Sequence, residues 1–402
     1  MSKAIRSVPL LALLLHCAVA HAEVPYAPKT ATGESPRVRI RFGEGATIAT
    51  RDNRTSLTIR ARIQTQALFA SKPSENEEER TEFLVRRLRL ELKGNLLGET
   101  LTYRIQLGFA NRDTEADLRL PLRDAIIEWA PHKLMHLRVG QMKVPFGRQR
   151  VNSSSALEMV DRSIVTNELN LDRDVGVYLH STAIGGSGGF LGYALGVFGG
   201  DGRNRVGTTP GLLFVAQLNA APFGRFDDLS EGDLKSDTKP RLLVSVSGAY
   251  NQNTNRSQST LGSTYTLGGF DYAHAAVAAL FKWHGFSASG EFLYRRSNEV
   301  SHTGVPTGAK AAITEYARSA RGYFVQASQM LGPHVQVTAR VGEFAPIGET
   351  DPKLLRSREL GAGLNYYFMD HNLKLQADYF YLHGSILSEG HHQARLQMQA
   401  YF

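Results

Sequence analysis

Apolar and polar residues alternate one for one over long stretches of this chain. In residues 56–69 (SLTIRARIQTQALF), Leu57, Ile59, Ala61, Ile63, Ala67 and Phe69 share one face of an extended strand, and Ser56, Thr58, Arg60, Arg62, Gln64 and Gln66 share the other. Strand side chains point alternately to opposite faces, so this is a ribbon with an oily side and an arginine side. Residues 37–42 (RVRIRF) repeat it briefly. Residues 84–93 (LVRRLRLELK) set Leu84, Leu88, Leu90 and Leu92 against Arg87, Arg89, Glu91 and Lys93. Sixteen strands are expected after the 37–42 segment, near 55–70, 82–95, 99–111, 122–130, 134–142, 173–182, 189–198, 211–221, 240–251, 270–283, 285–297, 320–331, 334–345, 357–369, 372–384 and 393–402.

The connections alternate as well. Short turns at 96–98, 131–133, 184–189, 284–285, 332–333 and 370–371 interleave with longer polar links near 71–81, 112–121, 143–172, 199–210, 252–269, 298–319, 346–356 and 385–392. Short turns on one rim and long loops on the other are the pattern of a transmembrane antiparallel β-barrel with an even strand number. One link breaks the rule: 222–239 (PFGRFDDLSEGDLKSDTK) falls where a short turn is due. Either that turn is long or a strand is misplaced.

The chain starts with a secretory pattern. Lys3 and Arg6 precede the apolar run 8–20, and Ala20-His21-Ala22 is a small-x-small cleavage site, so 1–22 is read as a signal peptide and the mature chain as starting near Glu23. Cys17, the one cysteine, falls inside that signal, and His16 before it fits a lipid-anchor site poorly. Residues 23–54 read as a periplasmic N-terminal lead-in and 55–402 as the barrel. No later run of eighteen apolar residues suggests a membrane helix, and the mean hydropathy of −0.25 fits both a secreted soluble protein and a barrel. The last residues favour the barrel: Leu396, Met398, Ala400 and Phe402 alternate with Gln397, Gln399 and Tyr401, the aromatic end that outer-membrane assembly machinery recognises.

The net charge is +8 with 46 basic and 38 acidic residues, and it becomes +6 once Lys3 and Arg6 are removed. Export and strand-wise distribution argue against nucleic acid as the partner. No nucleophile motif stands out, so an enzyme is not expected, and no cofactor or metal is expected either; His391-His392 read as solvated histidines of an outer loop. The rival classes are a barrel enzyme or adhesin presenting its loops, and a secreted β-sandwich.

Several stretches carry a family resemblance. RRLRLELKGNLLGETLTYRIQLGFA (86–110), LRDAIIEWAP (122–131), LRVGQMKVPFGRQR (137–150), RDVGVYL (173–179), ELGAGLNYYFMDHNLKLQADYFYL (359–382) and RLQMQAYF (395–402) together resemble the phosphate-selective porin O/P family. The resemblance implies a sixteen-stranded outer-membrane barrel, a homotrimer in lipid, passively conducting small anions of the phosphate or polyphosphate class. A general porin remains an alternative, because the first long loop carries Glu75, Glu77, Glu78 and Glu79 where a lysine-rich funnel would stand. Since lipid-facing charge is costly, the arginine faces must line the lumen. That gives Arg60, Arg62, Arg87, Arg89, Arg104, Arg138, Arg340, Lys374 and Arg395 as anion-contacting candidates. The 143–172 link is the third long loop, which in sixteen-stranded porins folds inward and sets the narrowest point. Its candidates are Lys143, Arg148, Arg150, Glu158, Asp161, Arg162 and, just after it, Arg173. Its charges either line a constriction or pair with one another and merely hold the loop.

Overall fold

The computed structural model describes residues 36–71, 78–115, 118–184, 189–205, 211–224, 229–384 and 391–402. The signal segment 1–22, Glu75, Glu77 and most of the 184–189 turn lie outside them.

In chain order the strands are β1 (Arg37–Arg41), β2 (Gly45–Ala49), β3 (Ser56–Ala70), β4 (Arg80–Asn95), β5 (Leu101–Gly108), β6 (Leu122–His132), β7 (Met135–Lys143), β8 (Arg173–Ile184), β9 (Leu191–Phe198) and β10 (Leu213–Ala220). They continue as β11 (Arg241–Thr254), β12 (Phe270–Trp283), β13 (Phe286–Ser297), β14 (Ser301–Gly304), β15 (Ile313–Tyr316), β16 (Ala320–Met330), β17 (Val335–Pro346), β18 (Ser357–Met369), β19 (Leu373–His383) and β20 (His391–Tyr401). Sixteen of them, β3–β13 and β16–β20, pair antiparallel with their neighbours, and β20 returns to β3 from Gln393↔Ala70 to Tyr401↔Arg62. The barrel is closed. Phe402 completes the seam by exchanging backbone hydrogen bonds with Ala61 at 2.7 and 3.0 Å.

Part of the lead-in joins this wall. β1 and β2 form a hairpin, and β2 pairs with the first residues of β3. β14 and β15 make a separate hairpin inside the long link between β13 and β16, a stretch that alternation leaves as loop.

Burial follows the alternation. On β3, Arg62, Gln64 and Gln66 are buried while Ile59 and Phe69 are exposed. On β17, Gln336, Thr338 and Arg340 are buried against exposed Val337 and Val341. In a closed barrel the buried polar face is the interior, and the exposed apolar face is what a bilayer covers. Trp129, Tyr250, Tyr323, Tyr366 and Phe402 stand on that outer face.

The doubtful link resolves as a long turn rather than a misplaced strand, because β10 pairs with both β9 and β11. His391 corrects an expectation. It opens β20 and is buried, because that strand starts before the outer loop was expected to end; His392 is exposed and stacks on Tyr379.

Candidate functional site

Two β-bulges bring unexpected arginines indoors. Along β3 and β4, Gln64 faces Arg87 and Thr65 faces Val85, so Arg86 is the extra residue. Along β5 and β6, Gln106 faces Asp124 and Leu107 faces Leu122, so Arg123 is the extra residue. A bulge sets two consecutive residues against one partner and re-aims their side chains. Arg86 and Arg87 accordingly both reach Asp161, each at 2.9 Å. Arg123 lies buried next to Asp124 and donates to Asp113 O at 2.5 Å. The bulge on β4 also corrects the apolar face read there: Phe83 and Val85 take the exposed positions, and Leu84 shifts to the opposite face.

These side chains close around a cavity of about 80 Å³ lined by Arg86, Arg87, Arg89, Arg112, Arg123, Lys143, Arg150, Ser154, Arg162 and Arg173. Nine of the ten are cationic. Their carboxylate partners are fewer: Asp113 holds Arg89 at 2.7 Å and Arg123 at 3.6 Å, Asp124 holds Arg173 at 2.7 Å, Asp161 holds Arg86 and Arg87, Asp172 holds Arg150, and the half-exposed Glu82 holds Arg112 at 3.2 Å. Lys143 donates to the carbonyls of Val151 (2.9 Å) and Asn152 (2.8 Å), and Arg162 to those of Gln149 (2.9 Å) and Asn152 (2.8 Å), so both cations are held without being neutralised. Burial and the neighbouring Arg150 push the Arg162 guanidinium down to about 9. Burial alone would raise Asp172, but Arg150 and Arg173 hold it well below the usual carboxylate range, so it stays ionised. Like charges crowded in poorly screened surroundings repel one another, and an entering anion relieves that repulsion.

Six sequence candidates therefore meet at this cavity: Arg87, Arg89, Lys143, Arg150, Arg162 and Arg173. Arg86, Arg112, Arg123 and Ser154 join them and were not anticipated; no alternation rule signals a bulge. Arg62 borders the cavity, donating to Ser154 Oγ at 3.0 Å as Arg89 does at 3.2 Å. Arg60 diverges to Asn372 (3.0 Å) and lies over the Tyr401 ring. Arg104 pairs with Glu91 at 2.8 Å, and Arg138 with Glu128 and Tyr178. Arg395 binds Asp378 at 2.7 Å, and Arg340 binds Glu359 at 3.0 Å and Asp161 O at 3.0 Å. Lys374 is fully covered and donates to Leu157 O at 2.7 Å. Arg148 donates to Leu229 O (2.9 Å) and Ser230 O (3.2 Å).

The link after β7 is tied to many strands. It contains a short helix, α1 (Ile164–Leu169), whose N-cap Ser163 accepts from Thr166 N at 2.9 Å. Val160 N reaches Asp378 of β19 at 2.9 Å, Asn365 of β18 reaches Glu158 O at 2.8 Å, and Arg295 of β13 reaches Glu168 at 2.6 Å. Small wall residues admit it. A Cβ on Gly322 would come within 2.8 Å of Val165, and one on Gly363 within 2.9 Å of Met159 Sδ. Of the link's acids, Asp161 and Glu168 thus pair with arginines outside it, Asp172 pairs with Arg150 of the link and Arg173 of β8, and Glu158 is held by amide and hydroxyl groups.

A seam of amides and carboxyls backs this link on its other side. Glu158 accepts from Ser287 (2.9 Å), Gln326 (2.6 Å) and Gln336 (2.7 Å), and its own backbone N–H donates to Glu231 at 2.9 Å. Glu231 lies in the long 221–240 turn and is buried, with Ser230 and Asp233. Glu291 of β13 accepts from the backbone N–H groups of Arg148 (2.8 Å) and Gln149 (3.1 Å). Burial, with Glu231 close by, raises the Glu158 carboxyl above its usual range.

Below the link, towards the short-turn rim, a second cavity of about 280 Å³ is lined by residues including Val151, Asn152, Ser153, Thr182, Gln217, Asn219 and Ser245. Arg148 is its one charged lining residue among the described residues. Segment 150–154 separates the two cavities: Arg150 and Ser154 face the cationic one, and Val151–Ser153 face the neutral one.

No curated protein sequence matches the chain. Its fold is similar to the anion-selective porin from Comamonas acidovorans (TM-score 0.55, 12% identity, 87% of this chain and 100% of that one). It is also similar to the outer membrane channel DcaP of Acinetobacter baumannii (TM-score 0.54, 14% identity, 88% and 99%) and to Salmonella typhi OmpF in complex with daunomycin (TM-score 0.54, 12% identity, 87% and 99%). The sequence profile of the family described as phosphate-selective porin O and P matches residues 57–402. With a closed sixteen-stranded barrel, an apolar exterior and a charged interior, the chain belongs to the phosphate-selective porin O and P family and is an outer-membrane porin.

Proposed function

We propose that this porin conducts small oxyanions of the phosphate class passively, and that its selectivity is set where the 144–172 link meets the inner faces of β4, β6, β7 and β8. The carrying observation is the cavity with nine cations among ten lining residues, paired with five carboxylates of which three, Asp113, Asp124 and Asp172, are buried. Arginine forks match oxyanions bidentately, which suits phosphate better than chloride. Conduction needs sites that attract an ion yet release it. Here Arg62 and Arg89 share Ser154, and beyond segment 150–154 lies the larger cavity, where Arg148 is the one charged lining residue among the described residues. The functional unit in this reading is a homotrimer in outer-membrane lipid, with the link as the constriction.

Planar-bilayer recording in a KCl gradient tests it. The reversal potential should report anion preference, and phosphate titrated into KCl should reduce chloride current. Cation preference overturns the reading. Anion preference without phosphate block reduces it to a general anion porin.

A further inference from the structure

A different cluster sits on the inner face where β6, β7 and β8 approach the short-turn rim. Glu128, His136 and His180 each offer one ligand-type atom, and the three atoms lie within 4.8 Å of one another. Neighbouring strands bring them together: His136 faces His180, and Glu128 faces Arg138. His136 Nδ1 is 3.4 Å from Glu128 Oε1, and His180 Nε2 is 3.5 Å from Glu128 Oε2. Both separations are long for a hydrogen bond, whose usual N···O distance is about 2.9 Å. Each imidazole approaches a different oxygen of the carboxylate, and the gaps leave room for an ion whose bonds to nitrogen and oxygen are about 2.0–2.2 Å. The two imidazoles are 5.2 Å apart and inclined by 57°, so they do not stack. His180 Nε2 is buried without a hydrogen-bond partner.

We propose that Glu128, His136 and His180 form a site for a transition-metal dication of the zinc class at the short-turn mouth of the pore, with water completing its shell. Two imidazoles and one carboxylate suit such ions and not magnesium, which prefers oxygen ligands. Arg138 is the built-in competitor. It pairs with Glu128 through its guanidinium while also donating to Tyr178 Oη at 2.6 Å. A metal would take Glu128 and leave Arg138 on Tyr178. The site is independent of the anion reading above.

Zn²⁺ titrated calorimetrically into the detergent-purified protein tests this, with Co²⁺ absorption as a spectroscopic check. One ion per chain is expected, with the strong visible bands of four-coordinate Co²⁺ and no response to Mg²⁺. His136→Ala and His180→Ala should each weaken binding by about tenfold or more. Arg138→Gln should tighten it by about fivefold, the effect of removing one unit charge a few ångströms away. His136→Gln serves if the alanine variant fails to fold, with heat-modifiable mobility on gels as the folding control. No binding by either wild type or Arg138→Gln, or binding unchanged when both histidines are replaced, overturns the proposal.

Discussion

The link that follows β7 has two flanks with opposite chemistry. On one side it meets β4, β6 and β8 through Arg86, Arg87, Arg89, Arg123 and Arg173, and a cavity remains between them. On the other it meets β13 and β16–β18 through Ser287, Gln326, Ser328, Gln336 and Asn365, which close on Glu158. The first flank holds a surplus of one charge sign and stays hollow. The second satisfies its polar groups internally and is filled. A buried polar network with every group paired is rigid, whereas crowded like charges need a counter-ion. The contrast teaches that arginine content alone does not mark the conducting path. Arg340 and Lys374 are as deep inside the barrel as Arg87, yet they hold the filled flank together.

Tests of this contrast run from large effects to small. Reversing charge on the hollow flank, with Arg89→Glu and Arg150→Glu together, should turn the reversal potential from anion to cation preference; an unchanged potential would move the path elsewhere. Asp161→Asn removes the carboxylate shared by Arg86, Arg87 and Arg395. Unpairing buried charges costs about 3 kcal/mol, so the midpoint of heat modification should fall while anion preference rises. Arg86→Ala or Arg123→Ala should each lower anion preference about fivefold, the worth of about 1 kcal/mol for one unit charge at close range in water. On the filled flank the readout is stability against pH. Glu158 is raised in the folded protein, so folding favours its protonated form, and stability falls as pH rises from the ordinary carboxylate range through the raised value. The heat-modification midpoint should therefore climb from neutral to mildly acidic pH, and Glu231→Gln, which removes the adjacent like charge, should flatten that climb. Lys374→Met should leave selectivity within a factor of about two, since the covered ammonium contributes little to the open path.

Strand-by-strand reading reached the barrel because each inner face has period two, and β3 obeys it from Ser56 to Gln66. It put Arg87 and Arg89 on the inner face for the same reason, whereas Arg150, Arg162 and Arg173 were candidates only as residues of the third long link or just after it. It failed where the period slips. Arg86 and Arg123 look outward by strict alternation, and only the pairing registers with β3 and β5 show the extra residue. Glu158 and Glu231 lie far apart in sequence with no shared motif, so their meeting depends on how two links fold within the same wall. His136 and His180 pair across β7 and β8, and register is a property of two strands rather than one.

The hydrogen bond from Glu158 N to Glu231 joins segments 73 positions apart in the chain, one entering from each rim. Each of the two links leaves the wall between one strand pair and returns before the next pair begins. Their junction draws on links that flank β7 to β11, and Glu158 takes further partners, Gln326 and Gln336, from β16 and β17. The restriction proposed above therefore depends on strands from β7 to β17 rather than on the link alone. A chain ending after β11 would hold both links and still lack the β16 and β17 amides that grip Glu158.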